Sequence, residues 1–313
     1  MKLLGIDIGG TKCAVILGNE KGEVLAKEKF PTTNVSETLA KILDTAEKMN
    51  DGCEAVGISC GSPLDSEKGV ILSPPNLPGW DNIEIVKMIR ERLGLPAYLC
   101  NDANACALAE WQFGAGRGSR NMIFLTFGTG MGAGLILDGR LYNGTNGNAG
   151  EVGHVRLEKF GPSGYGKCGS FEGFASGGGI AMLAKIKASE ALQRGEKPLY
   201  CSDLSALGTV SAKTVADAAH AGDKTALEVY EITGEMLGRG LSILIDVLNP
   251  EKIVIGSIYQ RSADLMTDAM QRVIECETLE TSRNAVQILP AELGDSIGDH
   301  AALALALECF KQG

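Results

Sequence analysis

Asp7-Ile8-Gly9-Gly10-Thr11-Lys12 is the stretch from which the fold of this chain can be read. An apolar run from Lys2 to Ile8 meets a Gly-Gly break, and a second apolar run resumes from Cys13 to Leu17, so the spacing predicts strand, glycine turn, strand. The pattern returns later in the chain. Asn121 to Phe127 reads as a strand, Gly128-Thr129-Gly130-Met131-Gly132-Ala133-Gly134 as a glycine turn, and Leu135 to Leu137 as a strand. Gly10 and Gly130 hold equivalent places, followed by Val15-Ile16-Leu17 and Leu135-Ile136-Leu137. An internal duplication is therefore expected, with two related halves facing each other.

Working outward, Gly18 to Gly22 is a turn and the third strand runs to Phe30. Ser36 is expected to cap a helix over Glu37 to Met49, with Leu39, Ile42, Leu43 and Ala46 on one face. Glu54 to Cys60 is a buried strand, Ile83 to Leu93 a helix, Ala97 to Cys100 a strand, and Ala103 to Phe113 an Ala-rich helix. Gly114 to Ser119 is a plausible boundary. Beyond the second glycine turn, helices are expected over Gly178–Ala191, Ala212–Ala221 and Lys224–Leu248. A strand at Lys252–Ile255, a helix from Ala263, a strand at Val286–Leu289 and a terminal helix from Ala301 complete the alternation. Strands and helices alternating in this way define an α/β fold class.

Composition narrows the function. The chain has 313 residues, 44% of them hydrophobic, enough for a substantial core in roughly two domains. Lys plus Arg number 29 against 39 Asp plus Glu, a net charge of −10, and no basic run is present, which argues against nucleic acid or an anionic membrane as partner. Aromatics are only 5%, too few for base-stacking platforms. Nine cysteines, an odd number, include Cys13, Cys53, Cys60, Cys100 and Cys106 placed singly in apolar stretches, like small core residues. With no secretory segment before Gly5 and no long apolar run, a reduced cytoplasmic protein is expected. Glycine is the outlier, 41 residues, against a usual share of about 7%.

The two glycine turns suit polyphosphate. In the first, Gly9 and Gly10 let backbone N–H groups converge on a phosphate, Thr11 can donate a hydrogen bond and Lys12 adds charge. Asp7 at the strand end could hold a hydrated Mg²⁺. A plain β-hairpin accounts for Gly-Gly equally well. The second turn contains the letters of a dinucleotide fingerprint, but it leads into a strand rather than a helix, and no acidic ribose partner follows. There is no P-loop motif either. Two strand–glycine–strand hairpins, with Gly128, Thr129, Gly130 and Gly132 in the second, could instead grip one polyphosphate from opposite sides of a cleft. Asn101-Asp102, at a strand end and helix start, reads either as a helix cap or as a general base at that cleft. Glu151 and His154 share one glycine-flanked turn, and Glu172 lies in a Gly-rich segment, both suited to hydrogen-bonding a polyol. Taken singly, each is equally a structural or loop side chain.

As an ordered set these segments resemble the ROK group of sugar kinases, typified by bacterial glucokinases. The resemblance rests on DIGGTK at 7–12, SPPNLPGW at 73–80, Asn101-Asp102, GTGMGAG at 128–134, GEVGH at 150–154, EGFASG at 172–177 and NPEKIVIG at 249–256. It implies an actin-like, ribonuclease-H-like ATPase fold in two lobes with duplicated α/β halves. Residues 1–115 would form the first lobe, the terminal helix 299–313 would return to it, and 116–298 would form the larger second lobe. It implies ATP- and Mg²⁺-dependent phosphorylation of a hexose, with Asp102 as the general base on a sugar hydroxyl, most simply the 6-OH. Asn76, Asn101, Glu151, His154 and Glu172 would contact the sugar, Gly9, Gly10, Thr11, Thr129 and Gly130 the phosphates, and Gly256 would border the adenosine pocket. A homodimer is implied too. Kinases of N-acetylmannosamine, N-acetylglucosamine, fructose or allose remain open within the family, as does polyphosphate as donor. So does a sugar-sensing regulator, although DIGGTK begins at Asp7 and leaves no room here for a preceding DNA-binding segment. An ATPase without a sugar substrate fits the sugar motifs least.

One departure stands out. The family binds a structural Zn²⁺ through the GH histidine and three cysteines ahead of the sugar-binding Glu. Counting back from Glu172, those positions hold Ser163, Tyr165 and Ser170, with Cys168 out of register. One Cys with His154 cannot supply four ligands, so no zinc site is expected, and packing must hold the loop from Phe160 to Ser170. Ser257 is a smaller departure, at a position where the family continues with glycine.

Overall fold

The computed structural model describes residues 1–312. In chain order the first elements are β1 (Lys2–Ile8), β2 (Lys12–Asn19), β3 (Val24–Pro31), α1 (Val35–Met49), β4 (Cys53–Cys60), a short hairpin of β5 (Leu64–Asp65) and β6 (Val70–Ile71), α2 (Ile85–Leu93), β7 (Ala97–Asn101) and α3 (Asp102–Phe113). Next come β8 (Met122–Leu125), β9 (Ala133–Leu137), β10 (Arg140–Leu141), the β11 (Ser163–Gly164) and β12 (Lys167–Cys168) hairpin, and α4 (Phe171–Phe174), α5 (Gly177–Gln193), α6 (Ala212–His220) and α7 (Lys224–Leu248). The chain closes with β13 (Lys252–Ile255), α8 (Ile258–Ser262), α9 (Thr267–Glu277), α10 (Glu280–Ala285), β14 (Gln287–Pro290) and α11 (Ile297–Gln312). No helix among the described residues is long and apolar enough to cross a membrane.

Two five-stranded sheets repeat one design. The first has the order β3-β2-β1-β4-β7 and the second β10-β9-β8-β13-β14. In the first, β1, β2 and β3 pair antiparallel while β1, β4 and β7 run parallel. In the second, β9 and β10 pair antiparallel while β8, β13 and β14 run parallel. The internal repeat legible in the sequence is thus a repeat of topology.

The chain divides into two compact units, residues 1–120 with 134–149 and 292–313, and residues 121–133 with 150–291. In the first unit Leu3 to Ile6 are all buried, as expected of a strand covered on both faces. Leu39, Ile42 and Ala46 of α1 and Ile85, Val86 and Ile89 of α2 join Leu4, Ile6, Ile58 and Leu99 on one face. On the other, Ala302, Leu303 and Ala306 of α11 meet Leu3, Ile16 and Ala55. That contact is so close that a Cβ on Gly57 would lie 2.1 Å from the Ala302 carbonyl oxygen and 2.3 Å from the Ala306 nitrogen. The entry to α11 is fixed by Glu110, fully buried on α3. Its carboxylate accepts the N–H groups of Ala115 (2.8 Å), Glu292 (3.2 Å) and Leu293 (2.9 Å), which stand in for water.

Several boundaries differ from those read in the sequence. Asn34, not Ser36, caps α1, its side chain accepting the Glu37 N–H at 3.0 Å. Both residue types cap well, and the extended backbone at Asn34 places it one step before the first helical residue. Ile83 bridges Ile71 instead of opening α2. The helix expected from Ala263 begins as α8 at Ile258, passes through a 3₁₀ turn at 263–265 and continues as α9. The terminal helix begins at Ile297, and α10 had no clear sequence signal.

Candidate active site

The first unit gathers its polar residues at the carboxyl ends of three parallel strands. Ile8 is in register with Cys60, and Cys60 with Asn101, so Gly9, Gly61 and Asp102 leave the sheet side by side. Such strand ends are where open α/β sheets bind ligands. The Gly9–Lys12 turn is closed by the Gly9 N–H to the Lys12 carbonyl at 3.1 Å and braced by Thr32, whose hydroxyl donates to the Gly9 carbonyl at 2.6 Å. Asn76 is pressed against this turn: a Cβ on Gly10 would sit 2.3 Å from its carbonyl oxygen, and one on Gly61 3.4 Å from its side-chain oxygen. Here Gly10 is required by contact, not by backbone angle.

At the start of α3 the capping role read for the Asn101-Asp102 pair is taken by one residue and leaves the other free of it. Asn101 is the cap, its side-chain oxygen accepting the Asn104 N–H at 2.8 Å. Asp102 is the first helical residue and spends one oxygen on the adjacent Ala103 N–H at 2.8 Å. Solvent reaches the Asp102 side chain, yet protein surrounds it closely enough that desolvation pushes its pKa above the usual aspartate value. The two observations are compatible, because a carboxylate can be open to solvent on one side and closely surrounded on the others. Asp7 is more enclosed, and its carboxyl is pushed up to about 6 by burial first, then by the charges of Asp299 and Asp102, with Lys27 and Lys12 opposing. Lys27 is itself paired with Asp299 at 2.6 Å. Sequence reasoning named neither. Their signal was faint, a lysine within a strand and an aspartate early in a helix.

Mg²⁺ takes oxygen ligands and usually keeps waters, being held by one or two carboxylates plus substrate phosphates. Asp7, crowded by two further carboxylates and ionised only at a cost, is a hard-oxygen donor of that kind. Among the described residues no group of three or more His, Cys, Asp or Glu side chains is arranged to hold a metal.

The second unit carries the other glycine turn. Gly132 and Thr126 close it through the Thr126 N–H to the Gly132 carbonyl and the Gly132 N–H to the Thr126 hydroxyl, both 3.0 Å. The N–H groups of Gly177 and Gly178, opening α5, donate to the carbonyls of Gly128 (2.8 Å) and Thr129 (3.1 Å). This brace was not foreseen. Glu172 reaches the same turn, accepting the Met131 N–H at 2.9 Å, and a Cβ on Gly130 would lie 2.7 Å from its carboxylate. Gly153, between Glu151 and His154, abuts the Met131 carbonyl and the Glu172 Cβ. Thus Glu151, His154 and Glu172 belong to one neighbourhood with Gly130, and the Glu151 and His154 side chains are exposed. Gly256 is buried at the end of β13, its N–H donating to the Leu125 carbonyl at 2.9 Å. Ser257 follows at φ +55° and ψ −108°, angles an L-residue rarely adopts and glycine adopts freely.

At the family's zinc positions the donors do not fit that metal. Ser170 is buried and caps α4 through the Gly173 N–H (3.1 Å), Tyr165 stands exposed at the tip of the β11–β12 hairpin, and the Cys168 thiol shares a hydrogen bond with the Ser163 hydroxyl at 3.2 Å.

Comparison with known proteins gives the chain a lineage. The chain is 32% identical over 309 residues to the glucokinase of Halalkalibacterium halodurans, covering 94% of this chain and 92% of that one. It is also 30% identical to the xylose repressor of Caldicellulosiruptor bescii, over 87% of this chain and 69% of the repressor. Among solved structures it superposes on a ROK family glucokinase from Streptomyces griseus in complex with glucose and AMPPNP, with a TM-score of 0.76, 30% identity and full coverage of both chains. The fold is therefore the actin-like ATPase fold. A family model described as ROK matches residues 3–309, and the chain belongs to the ROK family.

Proposed function

We propose that this chain is a sugar kinase of the glucokinase kind, transferring the γ-phosphoryl group of Mg·ATP to a hexose hydroxyl with Asp102 as general base. The observation that carries this reading is the division of labour at 101–102: Asn101 takes the capping role, and an aspartate of raised basicity is left facing solvent at the strand ends. Such a group can accept the proton of an attacking hydroxyl. The likeness to a glucokinase solved with glucose and AMPPNP supports both substrates.

In this reading Asn76, Asn101, Glu151, His154 and Glu172 orient the sugar through directional hydrogen bonds, since a neutral polyol offers no charge to grip. Glu172 does so while tied to the Met131 amide, so its carboxylate arrives already positioned. The turns at Gly9–Lys12 and Gly128–Gly132 would contact the phosphates, with Lys12 adding positive charge. Gly256 and Ser257 would border the nucleotide. Mg²⁺, when bound beside Asp7, supplies charge neutralisation on the transferring group. Asp102 takes the hydroxyl proton onto the oxygen that Ala103 does not occupy.

A second reading, a sugar-binding regulator, is favoured by the likeness to the xylose repressor. The deciding experiment follows ADP release from Mg·ATP across glucose, fructose, allose, N-acetylglucosamine and N-acetylmannosamine, wild type beside Asp102→Asn. Turnover with one sugar, lost in the variant, is expected. Sugar binding without turnover would favour the regulator, and the absence of both binding and turnover would refute the sugar assignment.

A further inference from the structure

His154 stands where the family would anchor a metal, yet the residues around it cannot hold zinc, and the loop they shape is ordered by other means. Two cationic side chains span it. The Lys167 ammonium donates to the His154 carbonyl at 2.7 Å. The Arg156 guanidinium donates to the Cys168 carbonyl at 2.6 Å. The two bonds run in opposite senses between the same two segments, 154–156 and 167–168, one at each end.

Backbone pairing continues the seam. Leu157 and Glu158 donate to the Gly169 carbonyl at 2.9 and 3.0 Å, Phe171 donates to the Val155 carbonyl at 2.8 Å, and Arg156 bridges Ser170. Gly169 in turn donates to the Pro162 carbonyl at 2.9 Å. At the tip, Tyr165 and Gly166 take φ of +45° and +75°, the angles of a tight hairpin turn, and the Tyr165 ring stands edge-on to His154 with centroids 6.4 Å apart. Tyr165 occupies one of the positions where the family places a cysteine, so an aromatic contact faces His154 there.

We propose that Lys167 and Arg156 replace the family's zinc, cross-linking the 154–170 segment through backbone carbonyls and thereby positioning His154. The physical exchange is direct. A tetrahedral metal fixes a loop by gathering four side chains; two charged donors on carbonyls fix it by closing the same two ends, each bond being stronger than a neutral one. A carbonyl acceptor also removes any need for cysteines. This rests on the sugar-binding reading of His154 only for its kinetic consequence, not for the loop's order. Both are positioning residues, since neither is placed against sugar or phosphate.

The test compares wild type, Lys167→Met, Lys167→Arg and Arg156→Gln by amide hydrogen exchange and by steady-state kinetics. Exchange at Leu157, Glu158 and Gly169 should accelerate by about 10- to 100-fold in Lys167→Met and in Arg156→Gln, the equivalent of one charged-donor hydrogen bond, while β1 and α7 keep wild-type rates. Lys167→Arg, which retains a cation, should stay near wild type. The sugar KM should rise by about tenfold in Lys167→Met with kcat within about twofold. A strong chelator should leave wild-type exchange unchanged. Unaltered exchange at these three amides in both charge-removing variants would overturn the inference. So would zinc co-purifying at one per chain together with chelator-induced opening of the loop. If wild type phosphorylates no sugar, the kinase reading falls while the exchange data still decide this one.

Discussion

Replacing Asp7 by Asn should make the ligand-free protein more stable at neutral pH while impairing phosphoryl transfer. The carboxyl's folded-state pKa is about 6 against an ordinary 3.8, raised by burial and by Asp299 and Asp102. The folded state therefore prefers the protonated form, and ionisation destabilises it. Below about pH 4 both folded and unfolded chains carry the neutral acid, so no penalty exists. It develops as pH rises from about 4 to 6 and is constant above. A difference near two units, at about 1.4 kcal/mol each, gives about 3 kcal/mol at pH 7.5. For a chain of this length that is about 4–5 °C in melting temperature. The assay is urea or thermal unfolding of both proteins from pH 4 to 8. The gap between variant and wild type should open across pH 4–6 and then level. Mg²⁺ with a non-hydrolysable nucleotide should narrow it, because a cation beside Asp7 relieves the same repulsion. A variant no more stable than wild type at pH 7.5, or a gap that does not change with pH, would refute the electrostatic account of this carboxylate cluster.

Asp102→Asn should fold and be at least as stable as wild type at neutral pH, since Asn101 does the capping and burial makes the Asp102 charge costly, yet lose about 10²–10⁴ in kcat; near-normal turnover would remove the general base. Wild-type kcat should fall on the acid side at a pH above the ordinary aspartate range, because burial raises the Asp102 pKa and the base works only when ionised. Gly57→Ala should cost at least about 3 kcal/mol by denaturant unfolding, because backbone atoms of α11 stand in the way of any side chain. Ser257→Gly should add about 1 kcal/mol by relieving the positive φ, because the Arg261 guanidinium donates to the serine hydroxyl only at a long 3.4 Å; a loss of stability would show that the hydroxyl's bonding outweighs the strain.

The sheet design was legible because it rests on short-range signals. Apolar runs broken by glycine announce hairpins, and the repeat at 121–137 doubled the signal. The residues that lock the design were not legible, because their partners lie far along the chain. Glu110 reads as a solvent-facing carboxylate in a helix, and nothing within ten residues says that the amides of 292 and 293 will need it. Gly57 reads as one glycine in an apolar strand until α11, some 245 residues later, lies against it. At Asn34 and Ser36 the signal was present but degenerate: two good caps stood two residues apart, and only the backbone angles separate them.

The candidate site divides along the same line. Residue types that chemistry requires, the aspartate after a strand or the carboxylates and imidazole among glycines, were visible because few other residues could do their work. What holds them was visible only as an absence, since the missing cysteines could signal the lack of a metal but not its replacement. Lys167 and Arg156 carry no motif, as any cation of the right reach would serve, and they act on backbone carbonyls, which every residue has. A fixed side-chain ligand set constrains sequence, whereas a bond to a carbonyl constrains only geometry. Supports of the second kind can change from one relative to another while the side chains they position stay the same. On the proposed sugar-kinase reading, the identity of the reacting groups is therefore a property of the sequence, and their placement is a property of the fold.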